Sequence, residues 1–295
     1  MKHIDKLLDP KIDYVFKRIF GHVGNEEITK GFLSSIIQKE ISNIKLDNKT
    51  ILEKDLLEDK VGILDIRAKI EDKINCNIEM QIVDRKNIEK RILYYWSKLY
   101  SMNLKAGKDY ENLEKVIVIL ITDYEIDSLK EIQKYQTKWN IREEEYQKVI
   151  LTEVMEFYII ELPKYDKYKE KSKNEKLNRW IKFIKEPGGM EMGEDKAIQK
   201  AKEVLEEISK DERERYLAEL REKYILDQKA IEDAGYDKGL KDGISQGLSI
   251  ERAKQKEKII EEKKKIAKNL LKLNIPTEQI EEATGLTEEE IKKLK

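Results

Sequence analysis

The segment from Ile63 to Val83, ILDIRAKIEDKINCNIEMQIV, alternates apolar and polar side chains along two successive runs. Ile66, Ala68 and Ile70 interleave with Asp65, Arg67 and Lys69. Ile78, Met80 and Ile82 interleave with Asn77, Glu79 and Gln81. A period of two is the pattern of half-buried strands, so the segment reads as a β-hairpin. If the apolar sets share one face, the polar sets share the other, because a slip of one residue would turn every side chain over. A turn over Asp72, Lys73, Ile74 and Asn75 sets Asp65 near Gln81 and Arg67 near Glu79. Opposed or diagonal residues on one face lie about 5–8 Å apart. Two carboxylates at that separation repel unless a cation sits between them, which makes a divalent metal site the first functional expectation. The plain alternative is a set of acidic residues on a solvent-facing hairpin, in a chain that is 40% charged.

The flanks of the hairpin add to this reading. Four blocks occur in order: DPKIDYVFKRIFG (Asp9 to Gly21), the long stretch from Asp59 to Tyr110, KVIVILITD (Lys115 to Asp123) and EFYIIELPKY (Glu156 to Tyr165). Together they resemble the core of the PD-(D/E)XK nuclease superfamily, and within it the Rpn-type recombination-promoting nuclease/putative transposase family. The resemblance implies an α/β restriction-endonuclease-like core, a mixed central sheet flanked by helices, followed by an α-helical C-terminal region. It implies Asp65, Glu79 and the Met80 carbonyl as ligands of Mg²⁺ or Mn²⁺, with Gln81 standing where the superfamily usually has a lysine. It further implies DNA as substrate and a role in recombination, mobile DNA or defence against foreign DNA. The alternative is a non-catalytic DNA-binding or assembly protein that keeps the fold. In the resembling family an R-x-x-x-Y pattern on the following helix sits beside the metal site, which here is Arg91 and Tyr95. Arg91 is expected to hold a phosphate and act in catalysis, with Tyr94 or Tyr95 orienting it. Asp13 is an accessory candidate near the metal, and a capping or surface role serves equally.

The rest of the chain supplies the expected layers. Residues 10–42 carry amphipathic helical spacings, including Tyr14, Val15, Ile19, Phe20, Phe32 and Ile36. Residues 87–106 read as a long helix ended by Gly107. Val116 to Ile121 is a continuous β-branched and apolar run, as in a central strand buried on both faces. Residues 154–162 give another strand, stopped at Pro163. Three segments are expected: a nuclease-like core over 1–165, a charged helical extension over 166–234, and a tail over 235–295. In the tail Gly235, Gly239, Gly243 and Gly247 recur every fourth residue. They form either a close-approach face for another helix or a flexible linker. Pro276, Thr277, Gly285, Thr287 and Glu290 then mark out a helix-turn-helix with a capping box. Its short helices are acidic, so partner association or self-association is expected from it rather than base reading, with a homo-oligomer formed through the C-terminal region as the leading expectation.

Charge excludes one simple mode of binding. The 59 basic and 60 acidic side chains leave a net charge of −1, so no global cationic field draws in DNA, and local patches must do so. A single cysteine, Cys76, excludes an internal disulfide and a Cys-rich zinc site. His3 and His22 are the only histidines. No long uncharged apolar run exists, so no membrane span is expected, and the expected location is the cytoplasm.

Overall fold

A computed structural model describes residues 6–47, 65–84, 86–102, 109–189 and 195–294. Ile63, Leu64 and the expected helix end at Gly107 lie outside them.

Helix α1 (Asp13–Phe20) and helix α2 (Glu26–Ile37) open the chain. α1 buries Tyr14, Val15, Phe16, Lys17, Ile19 and Phe20. It stops at Gly21, where an added Cβ would meet Ile66 Cγ1 at 2.9 Å, so glycine permits the close approach of helix end and sheet. The strands are β1 (Ile44–Leu46), β2 (Ile66–Ile70), β3 (Ile74–Gln81), β4 (Lys115–Thr122), β5 (Gln136–Trp139) and β6 (Met155–Glu161). Among the described residues they form one mixed sheet of order β1-β2-β3-β4-β6-β5. β3, β4 and β6 run parallel, and the outer pairs are antiparallel. Helix α3 (Ile88–Met102) makes the crossover from β3 to β4, since parallel neighbours need a long connection. β4 is buried along nearly its whole length, with both faces covered.

The two faces carry different layers. On one, Ile66, Ala68, Cys76, Ile78, Met80, Ile119 and Ile160 join α1 and α2 in the main core. On the other, Val116, Val118, Leu120 and Ile159 meet Ile88 and Ile92 of α3. After β6 come helix α4 (Leu162–Tyr168), helix α5 (Glu175–Lys185) and helix α6 (Lys196–Lys210). Trp180 of α5 is fully buried, with its ring 5.6 Å from Phe20 and 5.4 Å from Phe32. Leu205 and Ile208 of α6 belong to the same core. The sequence division at residue 165 is therefore not a boundary of packing: the first compact unit runs to Gln228. α5 and α6 look like charged extension because their charges sit on the faces turned away from this core.

Helix α7 (Glu212–Lys272) begins in that first unit. Arg18 meets Glu214 at 2.8 Å, and Arg221 grips both Asp13 oxygens at 2.7–3.1 Å. The second unit starts at Lys229. It contains the rest of α7, helix α8 (Thr277–Thr284) and helix α9 (Glu288–Lys292). The capping box of Thr287 and Glu290 is formed, and Gly285 ends α8 in the left-handed region at φ +65°. Ala267, Ile280, Leu286 and Ile291 make a small core of their own. The four periodic glycines are helical and not a flexible linker. A Cβ at any of them would meet nothing within 4 Å.

Cys76 sits in the main core, and burial pushes its thiol up to about 12. It should stay protonated and unreactive toward iodoacetamide at pH 8 until the protein unfolds. Labelling of folded protein at the rate of a free thiol would contradict this packing.

Candidate active site

The hairpin forms with the expected faces but a different register. Ile66 pairs with Ile78 and Ile70 with Ile74. One step further out, Asp65 stands across from Glu79, where the sequence reading had placed Gln81. The shift is two residues, which preserves both faces. The turn sets it: Glu71 and Asp72 both take positive φ, +50° and +53°, and the Lys73 N–H bonds to the Ile70 carbonyl at 3.1 Å. The Glu71 carboxylate then accepts from the backbone of Asn43 at 3.2 Å, pinning the turn to the entry of β1.

The polar face is not solvated. Asp65 is 8% exposed, Asn77 1% and Glu79 1%. That removes the reading of a hydrophilic surface hairpin, because buried charges need partners. α3 roofs this face and brings one. Arg91 Nη2 lies 2.7 Å from Glu79 Oε1. The Gln81 amide donates to the same oxygen at 2.7 Å. The cation between the carboxylates that the sequence called for is thus supplied in part by the protein. Tyr95 lies beneath Arg91, with the guanidinium 5.4 Å from its ring centroid. Tyr94, by contrast, is 58% exposed, and its ring lies 5.8 Å from that of Tyr95.

Electrostatics separate the two carboxylates. Burial pushes the Asp65 carboxyl above its ordinary range, against the opposing pull of Arg91, Arg67 and Lys17. For Arg91 burial works against the charge, yet Glu79, Tyr95 and Asp65 outweigh it and hold its pKa above the usual value. Lys17 was not singled out in the sequence. It is buried in α1 and its ammonium donates to the Asp65 backbone carbonyl at 3.4 Å. Its signal was available, since Tyr14, Val15, Phe16, Ile19 and Phe20 surround it with apolar positions on every side of the helix. Tyr124, two residues after β4, was also missed. Burial raises its pKa, and Glu79 and Arg91 are among the charges that act on it.

Backbone direction bears on Met80. The Asp123 N–H bonds to the Gln81 carbonyl at 2.9 Å, so odd-numbered residues of β3 direct their backbone groups toward β4. Strand alternation then aims the Met80 carbonyl at the opposite edge, the side of β2 and Asp65. Asp13 is engaged elsewhere: the bidentate Arg221 contact and the Tyr14 N–H at 2.8 Å give it a structural role in joining α1 to α7. Arg67 Nε, Arg91 Nε and Tyr124 Oη are buried without a hydrogen-bond partner among the described residues. Polar atoms left over around two buried carboxylates fit a site built to accept a further polar group. Among the described residues no cluster of three or more His, Cys, Asp or Glu side chains could hold a metal. Any ion here would rest on two carboxylates and a carbonyl, a sparse donor set of the kind Mg²⁺ completes with water and phosphate oxygens.

The family profile described as PD-(D/E)XK nuclease family transposase matches residues 10–235. The chain belongs to that family. The match to the PD-(D/E)XK nuclease family transposases begins just before α1 and ends within α7. It takes in the acidic hairpin, the arginine-bearing roof and the α5–α6 layer. A nuclease-like fold tied to mobile DNA is what this membership carries. No curated protein and no solved structure matches the chain. No helix of the described residues is long and apolar enough to cross a membrane.

Proposed function

We propose that the protein is a metal-dependent DNA endonuclease acting in recombination, mobile DNA or defence. The observation that carries the reading is the buried pair Asp65 and Glu79 facing each other across β2 and β3, with Arg91 at 2.7 Å from Glu79. Asp65, Glu79 and the Met80 carbonyl would hold one Mg²⁺ or Mn²⁺. When bound, the ion would supply a Lewis acid for the scissile phosphate and a water of lowered pKa. Gln81 fixes the orientation of the Glu79 carboxylate through its amide and cannot itself take up a proton near neutral pH. Arg91 supplies positive charge for a phosphate oxygen as negative charge builds on it. Tyr95 supports the guanidinium from below. Lys17 keeps the start of β2, and hence Asp65, in place.

The test is relaxation of supercoiled plasmid by purified full-length protein with Mg²⁺, with Mn²⁺ and with EDTA. Cleavage that needs the metal supports the reading. Its absence with both metals would favour the non-catalytic DNA-binding or assembly protein, which the Arg91–Glu79 contact also suits, since there the acidic site is already neutralised.

Self-association through the C-terminal region is part of this proposal. Most of the apolar residues near the chain end, Ile280 and Leu286 among them, are covered within their own unit, which removes one reason for a partner. What supports it now is the row Tyr236, Leu240, Ile244 and Leu248, each more than half exposed and each preceded by a glycine. Light scattering should find a dimer or larger at micromolar concentration, and a smaller species on deletion of residues 235–295. A full-length monomer would remove the assembly reading.

A further inference from the structure

We infer that Arg91 is the resident counter-cation of the acidic site, and that a divalent metal can bind only by displacing its guanidinium from Glu79. The inference rests on the metal-site reading above and adds to it an order of events. Glu79 Oε1 is shared by Arg91 Nη2 and Gln81 Nε2, both at 2.7 Å. A cation coordinated by that carboxylate would sit within a few ångströms of the arginine, and two cations so close repel. The guanidinium has somewhere to go. It is 25% exposed, so it already reaches solvent. Its Nε makes no hydrogen bond among the described residues, and besides Glu79 its side-chain partner is Tyr95. The Tyr95 ring, 5.4 Å away, offers a face over which it can slide and keep cation–π attraction. Freed from Glu79, the fork of N–H donors becomes available to a phosphate. The contact that neutralises the protein without metal is thereby the one that must open before an anionic substrate is gripped, so the site does not hold DNA phosphate productively until the ion is in place.

This reading makes a prediction opposite in sign to a purely supporting role. Binding of Mn²⁺ alone to the full chain, without DNA, is followed by the loss of the free-ion electron paramagnetic resonance signal. Arg91→Met should bind Mn²⁺ about tenfold more tightly than wild type, because no guanidinium has to leave. Arg91→Lys, which keeps the charge, should stay within about threefold of wild type. Equal or weaker binding by Arg91→Met would overturn the inference and make Arg91 a support of the carboxylates, while leaving the metal site standing. Asp65→Asn should lose Mn²⁺ binding. If it binds as wild type does, the metal site itself is wrong and the displacement falls with it. A measurement on the wild type guards against a variant that folds poorly. The Arg91 side-chain Nε–Hε resonance, assigned by comparison with Arg91→Lys, should shift and exchange faster with solvent on saturation with Mg²⁺. An unchanged resonance at saturation would also overturn the proposal.

Discussion

Asp65→Asn and Glu79→Gln should each lower metal-dependent plasmid cleavage by more than about 10²-fold, and they should move stability in opposite directions. Loss of groups that merely support a metal ligand costs about 10–100-fold, so loss of a ligand exceeds that. The stability signs come from the neighbours. Asp65 carries a buried carboxyl whose pKa is raised, chiefly by burial. The folded state therefore binds more protons than the unfolded state across the window from the ordinary carboxylate value up to the raised one. Stability falls as pH climbs through that window, and at neutral pH the charged form is a liability. Asp65→Asn should remove this loss and leave the metal-free protein as stable as wild type or more so. Glu79→Gln instead takes the partner from Arg91, which is three-quarters buried. That should cost about 1–2 kcal/mol, reduced from the value for a fully buried pair by the solvent at Arg91. Chemical denaturation from pH 4 to pH 8 with EDTA present would read both effects. Cleavage at the wild-type rate by both variants would put the active site elsewhere, and a stabilised Glu79→Gln would show that the ion pair contributes nothing net.

The second large effect is expected at the same end of the sheet but two strands across, where Glu161 lies in line with Thr122 and Gln81. Glu161 and Lys164 form an ion pair of 2.9 Å in which each side chain is 1% exposed. Glu161 also accepts the Ile126 N–H at 2.8 Å, and Lys164 donates to the Leu129 carbonyl at 2.6 Å. The pair thus staples the segment after β4, which carries Tyr124, to the end of β6. Lys164→Met leaves the Glu161 charge buried with one backbone donor. The expected cost is about 3–5 kcal/mol, or about 6–20 °C in Tm for a unit of this size. Adding Glu161→Gln should recover most of it, since removing both charges removes the reason for the penalty. A single Lys164→Met variant within about 1 kcal/mol of wild type would refute the staple.

The sequence carried the sheet further than it carried the site. Alternation along Ile66 to Ile70 and Ile74 to Gln81 defined both faces, because a period of two depends only on which side is buried. It could not define register to better than two residues, and the choice fell to the backbone of Glu71 and Asp72. β4 was legible because a strand buried on both faces has no polar position to spare. The apolar stripe of α5, Trp180, Ile181 and Ile184, was legible, but not that it closes the core, since its partners Phe20 and Phe32 lie about 150 positions earlier. The resemblance placed Arg91 beside the site. Its contact with Glu79 was not readable from spacing, because it depends on how α3 lies over the sheet. Lys17 escaped for the converse reason: a lone lysine looks solvated until every neighbour on its helix is seen to be buried.

The tie between α1 and α7 bears on how the chain is made. Asp13 and Arg221 are separated by 208 positions, and Leu8 and Ser209 by 201. At synthesis rates of about 5–20 residues per second, about 10–40 s pass between the appearance of α1 and that of its last partners. Throughout that interval the Phe16, Phe20 and Phe32 cluster awaits Trp180 and the residues after it, so the newborn amino-terminal half presents a sticky apolar face. Nascent chains stalled before residue 180 should be cut readily by added protease, and chains stalled well beyond residue 228 should resist. Early resistance would mean that the sheet protects itself without its last helices. If the expected pattern holds, the segment after residue 228 has a use during birth as well as in the finished protein: it keeps the chain attached to the ribosome while the first unit closes.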